Sequence, residues 1–337
     1  MMARPRVLII DDSAFARTVL GRLLRASGLI DVVGTVRDGR EGLERIAVLD
    51  PDVVTLDLTM PQVDGLGVLR ALQGRSRPRV IVVSMSTIES EIGAEALTLG
   101  AIDLIAKPSA LATDRLHEIG NELIAKVLAA AAGYAAVPIV DAPPAPRVAS
   151  RVELIMIGTS TGGPQALTRV ITALPAGLAV PVAIVLHIPA GYTQALARRL
   201  DKAAALDVVE AHDGLELRPG QVILARGGMH LRIERDGAAL RARIGGLPVR
   251  PFTPSVDELF TSGAAAVGAG ALGVVMTGMG DDGLVGSRAI AEAGGSLITE
   301  SASTCVVYGM PRCVDEARLG ALSIPLDGIA AEIASRV

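Results

Sequence analysis

Short aliphatic runs of about four or five residues recur along the chain, separated by longer segments in which apolar residues return every three or four positions. A continuous apolar run of that length reads as a strand buried on both faces, and the intervening period of ~3.6 reads as an amphipathic helix. In the first 125 residues the runs Val7–Ile10, Val32–Gly34, Val53–Leu56, Val80–Ser84 and Ile102–Ile105 predict five βα units, hence a doubly wound parallel sheet. The chain then turns Ala-rich and Pro-rich, through Ala142-Pro143-Pro144-Ala145-Pro146, which predicts a linker over 126–150. Over 151–337 the alternation resumes with Leu154–Ile157, Ala183–Leu186 and Gly273–Met276. Further strand candidates are Asp207–Glu210, Gln221–Ala225, Ser296–Thr299 and Ala321–Ile324, so the second unit is expected to be another doubly wound, mostly parallel α/β domain.

Composition narrows what such a chain can do. Half of the 337 residues are hydrophobic, yet there is no Trp and only three Tyr and three Phe, so the cores must be aliphatic. A formal charge of −4 and the scarcity of aromatic stackers argue against a nucleic-acid partner. The two cysteines, Cys305 and Cys313, lack metal-ligand spacing. The apolar stretch before Asp11 is too short for a signal sequence, and no run approaches the ~18 residues of a membrane span, so a cytoplasmic protein without membrane insertion is expected.

Chemistry-bearing residues cluster where strands end. Asp11 and Asp12 follow the first run, Asp57 the third, Ser84 ends the fourth and Lys107 follows the fifth. A parallel sheet brings all of them to one edge, where three carboxylates repel unless a hard divalent cation such as Mg²⁺ lies between them. Asp57 is then placed as a nucleophile towards a phosphoryl donor, with Lys107 and the Ser84 hydroxyl donating to the added oxygens. Lys107 is one of only three lysines in a chain that otherwise uses Arg, so a compact ammonium is called for there.

In the second unit, Ser160 follows Leu154–Ile157 within Gly158-Thr159-Ser160-Thr161-Gly162-Gly163, His187 follows Ala183–Leu186, and Asp281 and Asp282 lie in the Gly-rich turn after Gly273–Met276. A serine nucleophile needs a base to take its proton and an acid to orient that base, roles that Ser160, His187 and either Asp281 or Asp282 can fill. A dinucleotide site is the rival reading, since Gly158, Ser160 and Gly163 almost fit GxGxxG. Against it, Ser160 stands where the pyrophosphate wants glycine, and His187 stands where an acidic ribose partner belongs.

Over residues 5–125 the sequence resembles the receiver domain of bacterial response regulators, a flavodoxin-like (βα)5 fold. The resemblance rests on Asp11-Asp12, Leu56-Asp57-Leu58-Thr59-Met60-Pro61, Asp64-Gly65, Ser84 and Lys107-Pro108. It implies phosphorylation of Asp57 by a histidine kinase; Leu104 stands where many receivers carry an aromatic. The second unit resembles the catalytic domain of the CheB family of chemotaxis protein-glutamate methylesterases. The matching stretches include Ile157–Pro164, Leu186-His187-Ile188-Pro189, Pro254-Ser255-Val256-Asp257, Met276–Gly283 and Val306–Pro311. That resemblance implies Ser160 as nucleophile, His187 as base, Asp282 as the orienting carboxylate and the Met279 amide in the oxyanion hole. It also implies demethylation of chemoreceptor glutamyl esters, often with deamidation of receptor glutamines, and no cofactor in the catalytic domain. The remaining readings are a receiver with a catalytically silent, protein-binding output domain and a transcriptional regulator, for which no basic recognition helix is present. Joined through a Pro-containing linker, the unphosphorylated receiver is expected to cover the Ser160 cleft and to uncover it on phosphorylation.

Overall fold

The computed structural model describes residues 3–75, 77–84, 90–107, 113–132 and 151–337, the side chains of 90 and 113–118 excepted. Pro108, the side chain of His117 and the Pro-rich stretch 142–146 lie outside the described residues. The chain divides into two compact units, one within 1–133 and one within 134–337.

The first unit alternates β1 (Arg6–Ile10), α1 (Ala14–Ala26), β2 (Asp31–Val36), α2 (Gly39–Leu49), β3 (Val53–Leu56), α3 (Gly65–Leu72), β4 (Arg79–Ser84), α4 (Ser90–Thr98), β5 (Asp103–Ala106) and α5 (Thr113–Ala132). The strands pair in parallel in the order β2-β1-β3-β4-β5, so the order reverses between β1 and β3. That reversal opens a crevice at the strands' carboxyl ends. Burial on both faces explains why the inner strands read as near-continuous aliphatic runs; Val7–Ile10 and Val53, Val54 and Leu56 are fully buried, and Thr55 is the one polar residue among them. Ser13, Asp38 and Asp64 set three helix starts by accepting from the amides of Ala16, Glu41 and Gly67.

One boundary differs from the sequence reading. The helix α5 runs on to Ala132, so residues 126–132 belong to it and not to the linker. Alanine is the strongest helix former, and an Ala-rich tract adjoining an amphipathic helix extends it. Lys126 is tied into the first unit by ion pairs to Asp103 at 2.8 Å and Glu122 at 2.9 Å.

The second unit contains β6 (Leu154–Thr159), α6 (Gly163–Ala173), β7 (Val182–Leu186), α7 (Thr193–Ala203), β8 (Asp207–Glu210), β9 (Gln221–Leu224), β10 (His230–Asp236), β11 (Ala239–Gly245), α8 (Val256–Val267), β12 (Ala271–Val275), α9 (Leu284–Glu292), β13 (Ser296–Glu300), α10 (Met310–Glu316), β14 (Leu322–Ile324) and α11 (Leu326–Ser335). Seven strands form a parallel sheet in the order β14-β13-β12-β6-β7-β9-β8. The chain builds outward from β6 through β7 on one side and later returns through β12 on the other. The carboxyl end of β6 therefore sits at the switch in direction.

β10 and β11 form a separate antiparallel hairpin that the sequence reading lacked. Its two-residue turn is Gly237-Ala238, with Gly237 at φ 61. The buried residues Leu231, Ile233, Leu240 and Ala242 face the same core as Leu259 and Phe260 of α8. The Ile233 amide also donates to Ser262 Oγ at 3.1 Å.

Candidate active site and phosphoacceptor site

Three strand ends meet in the second unit. Ser160 follows β6 and donates its amide to Thr277 O beyond β12 at 3.0 Å; His187 follows β7 and donates its amide to Thr159 O at 3.1 Å. Thr277 ties the site together. Its carbonyl also accepts from Thr159 Oγ1 at 2.6 Å, its hydroxyl donates to Thr161 O at 2.9 Å, and it accepts from the Val307 amide at 3.0 Å. The Thr277 amide donates to the buried carboxyl of Glu300 at 2.9 Å. Burial pushes that carboxyl above its usual range against the pull of the Thr277 amide.

Close backbone approach is obligatory at two glycines. A Cβ on Gly278 would lie 2.9 Å from Ser160 Cβ and 2.3 Å from Met310 Sδ. Gly162 is left-handed at φ 83 and ends the turn that starts α6. Ser160 itself is only 7% exposed.

His187 and Asp282 are joined directly. His187 Nε2 lies 2.8 Å from Asp282 Oδ2. Burial works to raise the Asp282 carboxyl, but the bond and charge of His187, together with the Val256 and Asp257 amides, hold it below the usual range. An ionised carboxylate can only accept, so Nε2 donates to it. Nδ1 is buried and makes no hydrogen bond, so Ser160 and His187 stand on adjacent strand ends without a bond between them. Catalytic hydrogen bonds commonly tighten only around a bound substrate. The imidazole plane is fixed by Phe252, which stacks on it at a centroid distance of 4.4 Å and an interplanar angle of 7°.

Four donors converge on Asp282. Besides His187, Ser255 Oγ donates to Oδ1 at 2.8 Å, the Val256 amide to Oδ2 at 2.7 Å and the Asp257 amide to Oδ1 at 3.0 Å. Asp282 is buried whereas Asp281 is exposed, which separates the two adjacent carboxylates. Met279 directly follows Gly278, the glycine pressed against Ser160. His230 is buried and structural, bonded to Pro248 O through Nε2 and to the Ser255 amide through Nδ1, while His212 lies in an exposed turn. Sequence reasoning assigned no role to Phe252, Thr277, Ser255, Asp257 or Glu300. Pro254-Ser255-Val256-Asp257 was visible only as a motif, since its partner Asp282 is distant in sequence.

The first unit gathers all five of its predicted residues on the carboxyl edge. One carboxylate oxygen from each of Asp11, Asp12 and Asp57 lies within 4.8 Å of the others. Lys107 Nζ lies 2.7 Å from Asp57 Oδ2 and 3.0 Å from Asp11 Oδ2. Ser84 is fully buried at the end of β4, and its carbonyl accepts from the Lys107 amide at 2.7 Å. Arg17 holds the β1–α1 turn by donating to the carbonyls of Asp11 at 2.6 Å and Asp12 at 2.9 Å. Burial pushes Asp57 up to about 6, with the charges of Asp11 and Asp12 adding to the effect and Lys107 opposing it. Burial likewise raises Asp11, with the charge of Lys107, 3.0 Å from its Oδ2, opposing. Two buried carboxylates beside a third, all oxygen donors, fit a hard divalent cation.

Fold and sites together define a response regulator whose second domain is of the hydrolytic α/β class. The response regulator receiver domain model matches residues 7–119, and the CheB methylesterase model matches residues 155–333. The chain belongs to the CheB methylesterase family. It is 54% identical over 97% of its length to protein-glutamate methylesterase/protein-glutamine glutaminase 5 of Myxococcus xanthus, covering 96% of that protein. It is 43% identical over 98% of its length to the enzyme of the same name from Symbiobacterium thermophilum, covering 97% of it. The crystal structure of the Thermotoga maritima CheB methylesterase catalytic domain matches with a TM-score of 0.54 and 34% identity. That match covers 56% of this chain and all of the other.

Proposed function

We propose that this chain hydrolyses glutamyl methyl esters on chemoreceptors in the cytoplasm, deamidates receptor glutamines by the same chemistry, and is controlled by phosphorylation of Asp57. The observation that carries the hydrolytic reading is the Asp282–His187 pair, joined through Nε2 with the buried Nδ1 unbonded, next to the strand end that bears Ser160. A dinucleotide site has no use for that pair.

In the reaction, Ser160 Oγ attacks the ester carbonyl as His187 takes its proton, and the Met279 amide donates to the oxyanion. Methanol leaves with the proton from His187, and water, activated by the same nitrogen, releases glutamate and frees Ser160. With a glutamine side chain the leaving group is ammonia. Asp282 stays ionised throughout and balances the imidazolium.

In the receiver, Asp57 accepts the phosphoryl group from a histidine kinase, while Lys107 and the Ser84 hydroxyl donate to its oxygens. Asp11, Asp12 and Asp57 would hold Mg²⁺, which supplies charge neutralisation for the carboxylates and the phosphoryl oxygens. The test is methanol release from methyl-labelled receptors with and without a phosphodonor. Ser160→Ala is expected to abolish it, and Asp57→Asn to remove the phosphodonor's effect. Substantial release by Ser160→Ala would overturn the mechanism.

A further inference from the structure

The helices α8 and α9 start beside one another, and neither supplies its own cap. Ser255, at the N-cap of α8, makes no capping bond to that helix and instead donates its hydroxyl to Asp282. Gly283, at the N-cap of α9, is left-handed at φ 100 and has no side chain to offer. First-turn amides left unpaired are costly, and here they are satisfied crosswise. Asp282, at the entrance to α9, accepts from Val256 N and Asp257 N of α8. In return Asp257 Oδ1, in the first turn of α8, accepts from Gly283 N at 2.9 Å and Gly286 N at 2.8 Å of α9. Gly286 permits the approach, since a Cβ there would lie 2.4 Å from Phe260 Cβ.

This exchange ties the catalytic carboxylate to the body of the domain through two helices at once. Asp282 is one residue from the amide that Asp257 grips, so a loosened grip turns the Asp282 carboxylate away from Nε2. Burial pushes the Asp257 carboxyl above its usual range, with the Gly286 and Gly283 amides opposing and the Asp282 charge adding to it, whereas Asp282 is held low.

We propose that Asp257 is a positioning residue: by capping α9 it fixes the turn that presents Asp282 to His187. The inference rests on the hydrolytic reading above. It is tested on the full chain with a phosphodonor present, by steady-state kinetics on methylated receptors and by the low-field proton resonance of His187 Nε2–H. Asp257→Ala is expected to lower kcat roughly 10- to 100-fold with KM within about twofold of the parent, and to lose the resonance, as a displaced catalytic group requires. Asp257→Asn keeps an oxygen facing both amides and is expected to restore kcat to within about threefold and to keep the resonance. If Asp257→Ala does not fold, Asp257→Glu, which keeps the charge but misplaces the oxygens, takes its place with the same expectation. A kcat within twofold of the parent for the folded Ala or Glu variant, a change confined to KM, or failure of Asn to rescue would overturn the proposal. Should the parent lack esterase activity, the hydrolytic reading falls, while the His187 resonance still decides whether Asp257 orients the pair.

Discussion

Replacing the proposed phosphoacceptor, Asp57→Asn, should make the receiver more stable. Asp57 is 3% exposed and burial lifts it from 3.8 to about 6, so its ionised form is disfavoured in the folded protein by about 3 kcal/mol. A carboxyl whose folded value lies above its unfolded value stabilises while protonated, and that contribution is lost as pH rises through the folded value. Between about pH 4 and 6 the parent therefore loses what asparagine, which never ionises, keeps. Lys107 retains Asp11 as a partner at 3.0 Å in the variant, so no buried cation is stranded. The assay is hydrogen exchange by mass spectrometry on the full chain in EDTA, reading the slowest amides of β1 and β3. At pH 7.5 a gain of about 3 kcal/mol slows their exchange roughly 150-fold, and at pH 4.5, after correction for intrinsic rates, most of the difference vanishes. Exchange that is unchanged or faster in Asp57→Asn at pH 7.5, or a difference that persists at low pH, would refute the reasoning.

Three further outcomes follow from the catalytic unit. Asp282→Asn cannot satisfy the Val256 and Asp257 amides and His187 with one oxygen, so kcat should fall roughly 10³- to 10⁴-fold, read by methanol release. Phe252→Ala frees the imidazole plane at a site where an aromatic stack is worth about 0.5–1.5 kcal/mol, and a two- to tenfold loss of kcat with a drop of only about 1–6 °C in melting temperature is expected. Gly278→Ala overpacks Ser160 and Met310, which should cost about 1–3 kcal/mol in thermal unfolding and block labelling of Ser160 by a fluorophosphonate.

Much of this was legible because buried parallel strands announce themselves. Val7–Ile10 and Leu154–Ile157 are apolar without interruption and Val53–Leu56 is broken only by Thr55, and the residues just beyond each run are forced to the carboxyl edge, so Asp11, Asp57 and Ser160 could be placed by chain position. The hairpin β10–β11 escaped because charged residues dilute its period. Its alternation of Leu231 and Ile233 with Arg232 and Glu234, closing on Asp236-Gly237, was a usable signal. The tract 126–132 was misread because alanine favours helix and dilutes amphipathic pattern at once. Phe252 and Glu300 carried no local signal, since their partners His187 and Thr277 are contributed by other strand ends. Adjacent Asp281 and Asp282 could be told apart only by burial.

Thr277 bonds to Thr159 across 118 residues of chain, and Asp282 reaches His187 across 95. Such contacts cannot form until the polypeptide has been made through β12 and the turn beyond it. Every strand and helix of the first unit lies before residue 133, so that unit can fold while the rest is still being translated. At roughly 5–20 residues per second, the ribosome takes on the order of ten seconds or more to travel from the end of the first unit to Asp282. Nascent and prematurely ended chains therefore carry the Asp57 pocket without an assembled Ser160 site, and birth order alone ensures that the proposed control element exists before the chemistry it is proposed to govern.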